Sequence, residues 1–78
     1  MDKWTLTPNA KPNMFGAKRE ATLRRDAHVF ALVETFTEVE GYWWGFYTGP
    51  GGIVDVTHAD TLEQAMTAVG ESITRNNL

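Results

Sequence analysis

The alternation of hydrophobic and polar residues predicts four strands followed by one helix. Residues 18–25 alternate charged and apolar side chains, as a half-exposed strand does. Residues 28–37 are rich in β-branched and aromatic side chains, which predicts a central strand with apolar groups on both faces. Two more strands are predicted at 42–48 and 53–57, and a Gly-Pro-Gly-Gly turn at 49–52 separates them.

The C-terminal part of the chain predicts an amphipathic helix. Asp60 or Thr61 can cap its first turn, and Glu63 or Gln64 stands three residues later, as in a capping box. Asn76-Asn77 is expected to end it. The apolar residues recur at helical spacing and form one stripe: Leu62, Ala65, Met66, Val69 and Ile73.

This element order predicts an α+β two-layer domain, an antiparallel sheet of three to four strands with one C-terminal helix packed on one face. We expect residues 18–78 to form this single domain. Residues 1–17 are expected to form an irregular arm that Trp4 or Phe15 attaches to the body, with a short edge strand around residues 4–7 as an alternative. One helix covers one face of a sheet, so the arm, a second copy or a partner must cover the other.

Composition narrows the function classes. A chain of 78 residues with 42% hydrophobic side chains describes one small globular domain. It has no cysteine, which excludes disulfides, thiolate metal sites and cysteine nucleophiles. We find no apolar run of about eighteen residues that could span a membrane. Because no secretion leader is evident either, we expect a cytoplasmic protein.

Charge is distributed unevenly along the chain. Residues 1–25 contain six lysines and arginines and two acids, whereas residues 26–78 contain one arginine and eight acids. This asymmetry predicts a basic N-terminal segment joined to an acidic body. The acidic body favours a partner with a basic surface.

Candidate chemistry is sparse. Asp55, His58 and Asp60 could in principle offer an imidazole and two carboxylates to a metal ion. Helix capping explains Asp60, however, and the solvent side of a strand explains Asp55. We therefore predict a non-enzymatic protein with neither a cofactor nor a metal site.

The predicted strand at residues 42–48 carries aromatic side chains on both faces. A period of two places Tyr42, Trp44 and Phe46 on one face and Trp43 and Tyr47 on the other. A single helix cannot cover both sets, so part of this aromatic surface is expected to be accessible to a partner.

We predict a partner-binding site centred on Trp43 and Tyr47, which we expect to be accessible. Glu38 and Glu40 form its acidic surroundings, and Arg24-Arg25 is a secondary patch. Large aromatic residues anchor protein interfaces, and acidic groups around them attract a basic partner. The expected partner is a nuclease or another nucleic-acid-handling protein, and a homodimer through the uncovered face is an alternative.

A second hypothesis is a single-stranded nucleic-acid-binding module. Aromatic residues on a sheet face stack bases, and Lys18, Arg19 and Arg24-Arg25 could follow a phosphate backbone. The acids near the rings oppose this hypothesis, because binding to phosphate depends on cationic contacts.

Residues 29–73 also resemble a known family. A strand, an acidic hairpin ending in Gly41, a second strand, a Pro-Gly turn and the segment Asp60-Thr-Leu-Glu-Gln-Ala65 are similar to the N-terminal domain of HicB-like antitoxins. The Gly49–Gly52 turn departs from the Leu-Pro-Gly-Cys type of that family. The resemblance implies an α+β fold and a stoichiometric inhibitor that binds a small RNA-cleaving toxin. In size and composition the chain is also similar to phage-encoded inhibitors of the anti-CRISPR type.

Overall fold

The computed structural model describes residues 3–7 and 10–78 and shows one antiparallel sheet and one helix. The predicted α+β two-layer architecture is confirmed, but the sheet has five strands rather than three to four. The strands lie in the order of the chain, each antiparallel to the next. The elements are β1 (Lys3–Leu6), β2 (Ala17–Arg25), β3 (His28–Phe36), β4 (Val39–Gly49), β5 (Gly52–Ala59) and α1 (Leu62–Arg75).

The additional strand comes from the N-terminal segment that was predicted as an irregular arm. β1 pairs with β2 along its whole length, with Trp4 opposite Leu23. Trp4 packs against both clusters of buried residues, whereas Phe15 is 81% exposed. The anchor of this segment is therefore Trp4, and the edge-strand alternative is correct. The part of the arm formed by residues 1, 2, 8 and 9 lies outside the described residues.

The strands are joined by short turns, but residues 39–41 of the expected acidic hairpin loop belong to β4 instead. β2 and β3 are joined at Asp26-Ala27, where Asp26 adopts a left-handed backbone (φ 58°). Thr37-Glu38 joins β3 to β4, and Pro50-Gly51 joins β4 to β5. Short connections of this kind enforce antiparallel pairing between neighbours, so the sheet is a simple meander.

The helix begins as its sequence predicts. The Thr61 side-chain oxygen accepts a hydrogen bond from the Gln64 amide at 3.1 Å, which satisfies one of the free N–H groups of the first turn. Glu63 in the first turn and Arg75 in the last turn both suit the helix dipole. Asn76 is the C-cap, and its amide donates to the Ser72 carbonyl. Among the described residues, no helix has the length and apolarity needed to cross a membrane.

One face of the sheet packs against α1 and forms the core. The buried helix residues are Ala65, Val69 and Ile73, while Leu62 and Met66 of the predicted stripe are only partly buried. Strand residues with small or β-branched side chains meet them, and Tyr47 supplies the largest buried ring. The buried strand residues of the two core clusters are Ala21, Leu23, Ala31, Val33, Tyr47 and Ala59. Ala17 and Leu32 are also buried but lie outside these clusters, and Leu32 stands opposite Phe46.

The helix approaches the sheet most closely at Gly45 of β4. A Cβ atom placed on Gly45 would lie 2.6 Å from Val69 Cγ2 and 3.3 Å from the Ala65 carbonyl oxygen. The sheet therefore accepts the helix at this distance only because residue 45 has no side chain.

We predict that Gly45→Ala lowers the free energy of unfolding by about 1–3 kcal/mol, because the added methyl must displace the helix or distort the strand. The matched control is Gly70→Ala, since a Cβ on Gly70 of α1 meets nothing within 4 Å. That change should raise the stability by about 0.5–1 kcal/mol through helix propensity. Urea unfolding measures both, and equal effects of the same sign would contradict the close contact at Gly45.

Candidate protein-binding face

The face of the sheet opposite α1, here called the open face, has no helix packed on it in the described residues. β4 supplies Tyr42, Trp44 and Phe46 to it, and β3 and β5 supply Phe36 and His58. Alternation along β4 places Trp44 and Phe46 on one side, and strand pairing sets Trp44 between Glu34 and His58. The open face is therefore centred on an aromatic cluster.

Trp44 is held in place by three neighbours. Its ring centroid lies 5.5 Å from that of Phe36 and 4.7 Å from that of His58, the latter in an edge-to-face arrangement. Its indole Nε1 donates a hydrogen bond to Asp55 Oδ1 at 3.2 Å. Contacts on two strands and a polar anchor fix the orientation of the indole, although it remains half-buried rather than enclosed.

Two hollows lie on either side of Trp44. We call the first the aromatic hollow; it has a volume of about 290 Å³. Its lining residues are Phe36, Val39, Tyr42, Trp44 and His58. We call the second the acidic hollow; it has a volume of about 190 Å³. Its lining residues are Glu34, Phe36, Trp44, Phe46, Ile53 and Asp55.

Several large apolar residues on or beside the open face are strongly accessible to solvent. Tyr42 is 53% exposed, Val39 50% and Ile53 70%. Exposed apolar residues that lie near one another on a folded domain are candidates for contact with another molecule.

Glu34 stands directly opposite Trp44 in the pairing of β3 with β4, and Asp55 stands opposite Phe46 in the pairing of β4 with β5. Partial burial raises the pKa of Glu34, and the attraction of Arg19, its partner on β2, only reduces that rise. In the described part of the chain no salt bridge reaches the Glu34 carboxylate. The folded protein therefore holds a negative charge where its solvation is incomplete.

The sequence predicts that the face of β4 with Trp43 and Tyr47 is accessible, but this prediction is wrong, because that face packs against α1. Tyr47 is 2% exposed, and its hydroxyl lies 3.3 Å from Ser72 Oγ and accepts a hydrogen bond from Asn76 Nδ2 at 3.2 Å. Trp43 is half-buried against the Ala59 and Ala65 core cluster. Both rings lie on the helix side, where Tyr47 anchors the end of α1 to the sheet.

The other predicted contact residues divide into two groups. Glu38 and Glu40 are exposed on either side of Val39, next to the aromatic hollow. Arg24, by contrast, pairs with Val29 near the start of β3, far along that strand from Phe36. Their roles in binding remain predictions.

Arg25 has a structural role that the sequence did not indicate. It donates a hydrogen bond to the Leu78 carbonyl and lies 4.1 Å from the centre of the Phe30 ring. The Phe30 ring in turn contacts Tyr47. Arg25 therefore joins the end of the chain to the sheet on the side of the helix.

The structure assigns other contacts to the candidate metal residues. Asp55 accepts from Trp44, and His58 packs on the same ring. Within residues 3–7 and 10–78, no group of three or more His, Asp or Glu side chains could hold a metal ion. Asp55 and His58 therefore both support the aromatic cluster.

The raised pKa of Glu34 predicts a specific pH dependence. Ionised Glu34 costs stability above its folded pKa, and protonation removes that cost as the pH falls through this pKa toward the ordinary value of a glutamate. Glu34→Gln should therefore be more stable than the wild type near pH 7, and this advantage should shrink on acidification. Thermal unfolding at a series of pH values measures the difference, with the exposed Glu71→Gln as a control of equal net charge. Parallel curves for wild type and Glu34→Gln would contradict the incomplete solvation of Glu34.

Comparisons of the chain with protein-family models, with curated proteins and with solved structures find no match. The similarity to HicB-like antitoxins therefore remains a prediction from the sequence.

Proposed function

We propose that this chain is a non-enzymatic protein-binding domain that acts through its open face. In this proposal it inhibits a nuclease or another nucleic-acid-handling protein by occupying part of its surface. The observation that carries the proposal is the aromatic cluster around Trp44, which is partly exposed to solvent on an otherwise folded domain.

The cluster has the properties of an interface centre. Trp, Tyr and Phe are enriched at the centres of interfaces, where rigid rings bury a large area at a low cost in conformational entropy. The neighbours of Trp44 hold its ring in place before any partner arrives, which reduces the ordering that binding requires. Polar and charged groups surround the rings, as they do at the rim of known interfaces.

The charge of the open face supports a basic partner. Residues 28–59, which contain β3, β4 and β5, include no lysine or arginine, although Arg19 of β2 stands opposite Glu34. Their acids are Glu34, Glu38, Glu40 and Asp55. Proteins that bind nucleic acid present basic surfaces to phosphate, so an acidic domain attracted to such a surface would compete with the nucleic acid. Competition of this kind inhibits without any chemistry.

The charges also argue against the nucleic-acid-binding alternative. Glu34 and Asp55 flank Trp44, the ring best placed for stacking, and would repel a phosphate chain. Lys18 pairs with Glu20 at 3.4 Å, and Arg25 contacts the end of the chain. The cations of β2 are thus partly committed to contacts within the domain.

The rings provide the first test. We predict that the double variant Trp44→Ala/Tyr42→Ala loses at least about thirtyfold in affinity for a partner captured by the wild type, as removal of interface anchors costs about 2 kcal/mol or more. Phe15→Ala is the control, because Phe15 is exposed but lies in the segment before β2. Circular dichroism must show that all variants are folded.

Two results would contradict the proposal. One is undiminished partner binding by the double variant. The other is tight binding of labelled single-stranded RNA or DNA that weakens steeply with salt and is lost in Arg24→Ala, which would favour the nucleic-acid-binding function.

The acids provide a second test. We predict that Glu38→Lys/Glu40→Lys slows association with the same partner about tenfold or more at low salt, because charges at the rim of an interface act mainly on the association rate. Glu63→Lys/Glu71→Lys on α1 changes the net charge equally and should have a smaller effect. Surface plasmon resonance at two salt concentrations separates the cases, and equal slowing by both pairs would show only a general charge effect.

A further inference from the structure

The acidic hollow of the open face combines three aromatic walls with two carboxylates. Phe36, Trp44 and Phe46 supply the rings, and Glu34 and Asp55 supply the charges. We propose that this hollow receives an arginine side chain of the partner. The inference rests on the proposed function, because it names the group that the open face would recognise.

The aromatic walls suit a planar cation. A guanidinium group stacks on aromatic faces, and the negative face of an indole ring attracts it. The Trp44 ring is already oriented by Phe36, by His58 and by its hydrogen bond to Asp55. A ligand would therefore meet a wall whose position is set in the free domain.

The carboxylates supply the acceptors that a guanidinium needs. Asp55 uses Oδ1 for the Trp44 indole, and its other oxygen can accept from a ligand. Glu34 is partly buried, and in the described part of the chain no cation forms a salt bridge with it. A bound cation would compensate a charge that the free domain solvates poorly.

Arginine fits the rings and carboxylates of the acidic hollow better than other side chains. Its forked donors can bond two carboxylates while its plane rests on a ring, whereas the ammonium of lysine is a compact point charge. An acidic or phosphate group would be repelled by Glu34 and Asp55. A volume of about 190 Å³ also admits a single side chain rather than a folded segment.

A titration with short blocked peptides tests the site directly. The full chain, labelled with ¹⁵N, is titrated with acetyl-Gly-Arg-Gly-amide, and matched peptides carry lysine or citrulline in place of arginine. We expect the arginine peptide to shift the Trp44 indole signal and the amides of Glu34 and Asp55. Citrulline has nearly the same shape without the charge, and it should bind at least about tenfold more weakly.

Variants that preserve shape locate the effect. Glu34→Gln and Asp55→Asn should each weaken the arginine peptide about fivefold to tenfold, as loss of a charge-assisted hydrogen bond does. Asn at position 55 keeps an oxygen that can accept from the Trp44 indole. Glu71→Gln should have no effect. Arg19→Gln should strengthen binding, because Arg19 is the cation that faces Glu34 from β2.

Three outcomes overturn the inference: equal binding of the citrulline and arginine peptides, shifts confined to residues outside the acidic hollow, or concentration-dependent shifts at Trp44 without peptide. The last would show that a second copy covers the face.

The two proposals can fail separately. Partner binding that is lost in Trp44→Ala/Tyr42→Ala but kept in Glu34→Gln/Asp55→Asn supports the open face and rejects the arginine site. If the arginine peptide binds in the acidic hollow but the partner binds the ring variants as tightly as the wild type, the arginine site is supported and the open face is rejected as the site of that partner.

Discussion

The close contact between α1 and β4 at Gly45 determines the rest of this structure. The absence of a side chain at residue 45 lets Val69 and the Ala65 carbonyl approach the strand, and the rings of Trp43 and Tyr47 stand on either side of that gap. A helix of 14 residues is about 21 Å long and has one apolar stripe, so it can cover one layer of the sheet and no more. Because α1 packs at Gly45, the rings of Trp43 and Tyr47 face the helix. The other rings of β4 remain on the open face; they are Tyr42, Trp44 and Phe46.

Both faces of β4 carry aromatic residues but differ in what surrounds them. On the helix side, the neighbours are mostly small and apolar, such as Ala31 and Ala59, and the Tyr47 hydroxyl has partners on α1 and its C-cap. On the open face, the neighbours of Trp44 across the sheet are Glu34 and His58. A core tolerates uncompensated charge poorly, so these polar cross-strand partners mark the open face as the one that meets solvent or a partner.

Local rules predicted much of the fold from the sequence. The Thr61 cap depends on neighbours in the chain, and the structure confirms it. The strand β2 forms near the predicted residues, but the expected alternation does not hold, because Thr22 is buried between Ala21 and Leu23 and the pairing with β3 is irregular. Such rules could not predict β1 securely, because a strand of four residues shows too little periodicity. Its pairing with β2 depends instead on the burial of Trp4.

The choice of face could not be read from periodicity alone, since a period of two states which residues share a side but not which side is interior. The sequence did contain the missing signal. Gly45 has the same parity as Trp43 and Tyr47, and a glycine between two large rings marks the place where another backbone approaches. Glu34 and His58 opposite Trp44 also indicate that this face is not interior, but their pairing with Trp44 can be recognised only when the strand register is known. The irregular pairing between Glu34 and Phe36 hides that register from a simple count of residues along the hairpin.

The arrangement of charge on the open face follows from the same geometry and connects stability to binding. Glu34 lies opposite Trp44 because of the β3–β4 register, and there the ring that would anchor a partner also removes water from the carboxylate. The free domain thus bears an energetic cost at the position where a cationic partner would gain most from binding. A neutral residue at position 34 would give a more stable monomer but would remove that attraction. In the proposed function, Glu34 would thus trade stability of the fold for attraction of a partner, as residues of functional surfaces often do.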